Sequence, residues 1–175
     1  HGLSGFDVTT GSTGEKSQSF SDEFGQTLCQ LAEKEPRLCA ITAAMQSGTG
    51  LGPFREQFRE RVFDVGISEE HAVTFAGGLA AGGMLPVFAV YSTFLQRAYD
   101  ELIHDVSMQN TKVILAIDRA GVVGEDGKTH QGVFDVAYLQ TIPNITVYSP
   151  AYFKELRMQL SYLVEKGTGL CAIRY

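Results

Sequence analysis

The sequence has no tryptophan, only three cysteines and only five prolines among 175 residues. The cysteines, Cys29, Cys39 and Cys171, are odd in number, widely spaced and form no C-x-x-C pair. A disulfide framework and a zinc ribbon are therefore both poor fits, and a reduced, cytoplasmic compartment is expected. No block of five like charges occurs and the formal net charge is −6, which argues against a general nucleic-acid binder or a membrane-surface protein. The longest uncharged run, 72–96, carries four glycines and Pro86, so it reads as buried helix, turn and strand rather than as a membrane span. An initiator Met, a signal peptide and a transit sequence are also missing. Because the chain stops on the apolar, strand-like run 170–175, it reads as a piece of a longer protein, bacterial rather than plastid in origin.

What is present is ordinary globular composition, 44% apolar, 10% aromatic and 19% charged, enough for one good-sized domain with a real core. The 19 glycines show no triplet period, which excludes a collagen-like chain. Residues 1–18 are rich in Gly, Ser and Thr and read as a linker or arm; the domain proper is expected over 19–175. From there apolar runs alternate with helical periodicity. Ser21 is placed to cap a helix through about Glu33, and Leu38 to Thr42 reads as a buried strand before a flexible 47–50. Pro53 opens a charged helix, 62–65 is a strand, 69–83 a small-residue helix and 85–90 an apolar strand. A longer helix is expected over 94–109, a strand over 112–117, a Gly-rich loop over 119–135 and a strand over 145–148. Ser149-Pro150 then starts a helix through about Glu165. Strands that read as continuous apolar runs between helices imply an α/β fold of three layers, α/β/α, with a mostly parallel sheet.

In such sheets ligands bind outside the carboxyl ends of the strands, so polar residues just after strands matter most. Segments 66–71, 91–97, 118–119 and 124–131 all qualify. Gly127-Lys128-Thr129 is not a phosphate loop, which needs four residues between its glycines: Gly121 precedes Gly127 by five intervening residues and Gly124 by two. Gly48-Thr49-Gly50-Leu51-Gly52 lacks the last spacing of the dinucleotide fingerprint and runs into Pro53. His104 with Asp105, and Asp126 with His130, lack a third metal ligand at local spacing, so no metal site is expected. Glu69 and Glu70 both suit the first turn of a helix, where the macrodipole favours carboxylates.

Four motifs occur in one order: Asp64-Val65-Gly66-Ile67-Ser68-Glu69-Glu70-His71, Tyr91-Ser92-Thr93-Phe94-Leu95-Gln96-Arg97, Asp118-Arg119-Ala120-Gly121, and Asp126-Gly127 with Thr129-His130-Gln131-Gly132. Together they resemble the thiamine-diphosphate-dependent 1-deoxy-D-xylulose 5-phosphate synthase family, part of the transketolase group. The resemblance spans nearly the whole chain and implies the pyrimidine-binding domain, the middle of three. It implies a transferase that condenses pyruvate, with decarboxylation, and D-glyceraldehyde 3-phosphate, feeding isoprenoid, thiamine and pyridoxal synthesis. The Tyr91–Arg97 run resembles the synthases more than transketolase itself.

The resemblance also implies roles. Glu69 matches the carboxyl that bonds the cofactor's pyrimidine nitrogen N1′ and drives its tautomerisation, whereas Glu70 stands where the family often has Gln. Phe94 matches the aromatic that stacks on the pyrimidine. Tyr91, Arg97 and Arg119 match residues that hold the acceptor's phosphate, for which a guanidinium offers paired donors. Asp126 and His130 match the pair near the substrate hydroxyls and reacting carbonyl, where a His can relay protons and stabilise an alkoxide. His1 matches a His that approaches the cofactor. Lys128 stands where Pro is common. Nothing in the chain resembles the Gly-Asp-Gly and downstream Asn that carry the Mg2+-diphosphate half of the cofactor. The diphosphate-binding and C-terminal domains are therefore absent from these 175 residues. The implied partners are that diphosphate-binding domain and a second subunit in a homodimer. A separately encoded transketolase-like half-subunit and a non-catalytic oligomerisation domain are the competing readings.

Overall fold

The first helix shows how local chemistry sets a boundary. The Ser19 hydroxyl accepts from the Asp22 amide while the Asp22 carboxylate accepts from the Ser19 amide, a reciprocal cap on α1 (Phe20–Lys34) that lies two residues before the expected Ser21. Its far end stops before Pro36, and Arg61 donates to the carbonyls of Ala32, Glu35 and Leu38 there. The computed structural model describes residues 7–11, 18–124 and 126–175. Of the expected arm over 1–18, only 7–11 and 18 are therefore described, and His1 lies outside them.

The remaining elements are β1 (Leu38–Thr42), α2 (Gly52–Gln57), β2 (Val62–Asp64), α3 (Glu69–Ala81), β3 (Leu85–Tyr91), α4 (Ser92–Leu95), α5 (Tyr99–Glu101), β4 (Val113–Asp118), α6 (Asp135–Leu139), β5 (Thr146–Tyr148), α7 (Phe153–Lys166) and β6 (Leu170–Arg174). The six strands form one sheet in the order β2-β1-β3-β4-β6-β5, every neighbour parallel. Strands β1, β3 and β4 are buried along their whole length, as expected of a sheet covered on both faces. Alternate residues feed two cores. Ala40, Val87 and Ile114 pack with Phe24, Leu28 and Leu156 on one side. Ile41, Phe88 and Leu115 pack with Val73, Leu102 and Val106 on the other.

Three expectations are corrected. The helix expected over 94–109 begins at Ser92 and changes winding: α4, a 3-10 turn (Gln96–Ala98), α5, then a π-helical segment (Leu102–Ser107). The helix expected at Ser149-Pro150 begins at Phe153, because the Ser149 hydroxyl accepts from Arg174 instead of capping. The loop after β4 ends where expected, at Asp135, from which Asp135–Leu139 winds into α6. Finally, 47–50 is not loose: amides of Thr49, Gly50 and Leu51 bond back to Met45, Ser47 and Gln46, and Thr49 is fully buried. No helix among the described residues is long and apolar enough to cross a membrane.

Candidate functional site

All strands run the same way, so the segments that follow β1, β2, β3 and β4 emerge on one rim. The chain leaves β1 outward to β2 and returns to β3 on β1's other side, and such a reversal opens a crevice at the carboxyl ends. Asp64 ties the strand ends together, accepting from the amides of Ala44 and Gly66. Gly66 takes the left-handed φ of +73° that turns the chain into α3. The first residue of that helix, Glu69, is 2% exposed, whereas Glu70 is exposed.

Glu69 is paired. One terminal nitrogen of Arg97 donates to both its carboxylate oxygens at 2.9 Å. The guanidinium carbon of Arg97 also lies 4.9 Å from the centre of the Phe94 ring. The local winding explains this, because in a 3-10 turn side chains three residues apart eclipse one another. Phe94 in turn stacks on Tyr91 at 5.9 Å and meets the His130 ring edge-on at 5.3 Å. His130 Nδ1 lies 3.0 Å from the Thr129 hydroxyl.

On the other side of Tyr91, Arg119 lies with its guanidinium carbon 4.0 Å from the ring centre. Its backbone is left-handed at φ +56°, a conformation rare outside glycine, and its side chain is fixed by three acceptors. Nε donates to Asp126 at 2.7 Å, and Nη1 donates to the Gly48 carbonyl at 2.8 Å and to Asp118 at 3.2 Å. Burial pushes the Asp118 carboxyl above its ordinary range, against bonds from Ser21 and Arg119 that pull it down. Burial likewise pushes the Tyr91 phenol up. Gly48 has no room for a side chain: a Cβ there would fall 1.8 Å from the Tyr91 hydroxyl.

A cleft of about 610 Å³ opens beside Arg119, lined among others by Ser21, Gly48, Asp118, Asp126 and Tyr175. Glu69, Phe94 and Arg97 do not line it. The structure thus brings all seven sequence-selected side chains onto one rim in contact series: Glu69, Arg97, Phe94, His130, Tyr91, Arg119 and Asp126. Arg97 and Arg119, selected together, sit apart in that series, the first on Glu69 and the second on Asp126. Asp118 and Gly48 are not among the site residues that the sequence points to, and Ser21 is read there only as a helix cap. Asp118 was legible as the last residue of a buried strand, but Gly48 acts through a backbone carbonyl, which side-chain chemistry does not reveal. His104 pairs with Asp100 on the surface, and no cluster suited to a metal ion occurs among the described residues.

Residues 16–175 match the family described as the pyrimidine-binding domain of transketolase. The chain belongs to that family. The domain is 62% identical over its full length to a 1-deoxy-D-xylulose-5-phosphate synthase of Symbiobacterium thermophilum and 52% identical to one of Clostridium tetani. It spans 27% and 28% of the lengths of those relatives. Among solved structures, it superposes on a split-gene transketolase titled an inactive beta4 tetramer, with TM-score 0.79 and 26% identity over 91% of the domain and 51% of that chain. It shares its fold with transketolase from Leishmania mexicana, with TM-score 0.78 and 22% identity over 91% of the domain and 26% of that chain.

The residues present suit the pyrimidine group for which the family is named. A buried carboxylate that accepts N–H bonds stands beside a half-buried aromatic face, and a flat, nitrogen-rich cation already satisfies both. A planar aminopyrimidine offers the same flat face to Phe94 and, at N1′, a lone pair that can share a proton with the Glu69 carboxyl.

Proposed function

We propose that the domain is the pyrimidine half of the active site of a thiamine-diphosphate-dependent 1-deoxy-D-xylulose 5-phosphate synthase in the bacterial cytoplasm. The observation that carries this reading is Glu69: a carboxyl buried at 2% exposure on the ligand rim, beside the Phe94 ring system. The 62% identity to a named synthase supports the substrate assignment, pyruvate and D-glyceraldehyde 3-phosphate. Mg2+ and the diphosphate-binding domain belong to the other half of the site, and a homodimer is the expected assembly.

When bound, the cofactor supplies a carbon nucleophile and an electron sink for decarboxylating a 2-keto acid. Glu69 holds the pyrimidine at N1′ and shares a proton there, and Phe94 supports the ring. His130 engages the Thr129 hydroxyl through Nδ1 at 3.0 Å, which leaves Nε2 as the ring nitrogen for an oxygen that gains charge. Arg119 has Nε and Nη1 committed to protein acceptors, which orients Nη2 as the donor for an acceptor phosphate. Tyr91 backs that guanidinium, and Arg97 contributes a second one. Asp126 stands beside Arg119 for a substrate hydroxyl. Excluding water from this rim falls to the partner domain.

The test is a product assay on the complete polypeptide with Mg2+ and thiamine diphosphate. Pyruvate and D-glyceraldehyde 3-phosphate should yield CO2 and 1-deoxy-D-xylulose 5-phosphate. Ketol transfer from a ketose phosphate, with no use of pyruvate, would instead favour a transketolase half-subunit. That reading rests on 26% identity and lacks the Tyr91–Arg97 run in its support.

A further inference from the structure

We propose that Arg97 is a placeholder for the cofactor's pyrimidine: it closes the half-site when the cofactor is away and must move aside when the ring enters. The inference rests on the functional reading above, because that reading supplies the ligand. Its observations are independent of it. The Arg97 guanidinium is flat, cationic and rich in N–H groups. It occupies the two groups that the resemblance assigns to the aminopyrimidine, donating to both oxygens of Glu69 at 2.9 Å and covering the Phe94 ring at 4.9 Å. The open cleft beside Arg119 is lined by neither Glu69 nor Phe94.

The physical reason for such a device is the buried carboxylate. Glu69 is 2% exposed, and an unpaired charge at that depth is strongly disfavoured. The Arg97 side chain, by contrast, is 44% exposed, so it can exchange its contact for water cheaply. The pair therefore joins a fixed acceptor to a movable donor. Entry of the ring replaces a cation with a neutral group whose N1′ carries a lone pair and no N–H, so the exchange takes up one proton from solvent, which Glu69 and N1′ then share. The released guanidinium is then available to the acceptor phosphate. Cofactor occupancy would in this way precede the full phosphate site, an order written into one side chain.

Linkage fixes the direction of the effect. Removing the placeholder destabilises the empty state more than the occupied one, so cofactor binding must tighten. The experiment compares the complete polypeptide with its Arg97→Leu and Arg97→Lys variants, titrating thiamine diphosphate in Mg2+ by calorimetry and following thermal unfolding with and without it. For Arg97→Leu the account expects a Kd lower by on the order of tenfold, together with a lower Tm of the empty protein that the cofactor restores. Arg97→Lys, which keeps the charge but not the plane, should fall between. If the parent binds and Arg97→Leu binds equally or more weakly, the placeholder role is overturned while the functional reading stands. If neither binds, the functional reading fails and the inference with it.

Discussion

Glu69 and Glu70 are neighbours in sequence with opposite surroundings. Glu69 is held by Arg97 under the Phe94 ring system, while Glu70 faces solvent on the next position of α3. A carboxyl can share a proton with a ring nitrogen only if it reaches the ring, so the two should respond differently to truncation. In the complete polypeptide, Glu69→Ala should lower turnover by on the order of 10² to 10⁴, the usual range for a lost proton-transfer partner. Glu70→Ala should leave most of it. A turnover assay on the two variants side by side checks the register: the reverse result means that it is wrong by one. Selecting Glu69 needed the family motif, since both residues suit a helix start equally well. Its partner was not legible at all. Asp100 and Glu101 are nearer to Arg97 in sequence, yet the change of winding at 96–98 sends Arg97 back over Phe94 and onto α3.

At the scale of elements, the two ends of the loop after β4 are joined by one close backbone contact. Gly121 and Gly132 exchange two backbone bonds, and a Cβ on Gly132 would fall 2.2 Å from the Arg119 carbonyl oxygen and 2.7 Å from Ser92 Cβ. Both obstacles are on packed chain, so Gly132→Ala forces the loop away and should cost about 1–3 kcal/mol. Chemical denaturation reads that as a lower midpoint; an unchanged midpoint would show that the loop is not held there. The central strands make a second prediction. Cys39 lies fully buried in β1, and burial pushes its thiol up from 9.0 to about 11. Burial raises Cys29 and Cys171 as well. The neutral thiol is the form the fold accepts, so this contribution is intact below pH 9.0 and is lost progressively as pH rises from there through about 11. At pH 8 a thiol reagent should therefore label none of the three rapidly until urea is added, and fast labelling of the native chain would contradict it. These strands were plain in sequence because apolar runs between turn residues admit few alternatives. Helix ends were less plain: Ser19 and Ser21 both suit a cap, and only the reciprocal bond with Asp22 decides between them.

Taken whole, the molecule offers one rim of a parallel sheet carrying a carboxyl, an aromatic series and two guanidiniums. It has no cluster among the described residues that would hold a metal. It spans 27% of the length of its synthase relative, and on the function proposed above the rest of the site is brought to this rim by another domain. The order β2-β1-β3-β4-β6-β5 was not legible from the sequence, because parallel pairing leaves no local signal of which strand lies beside which. That the functional segments would share one edge was legible, since each follows an apolar strand of the same direction. The most direct measurement is calorimetric titration of thiamine diphosphate, with and without Mg2+, into these 175 residues alone and into the complete polypeptide. The account predicts no binding at micromolar cofactor for the domain alone, and Mg2+-dependent binding for the complete polypeptide. Micromolar, Mg2+-dependent binding to the domain by itself would contradict it.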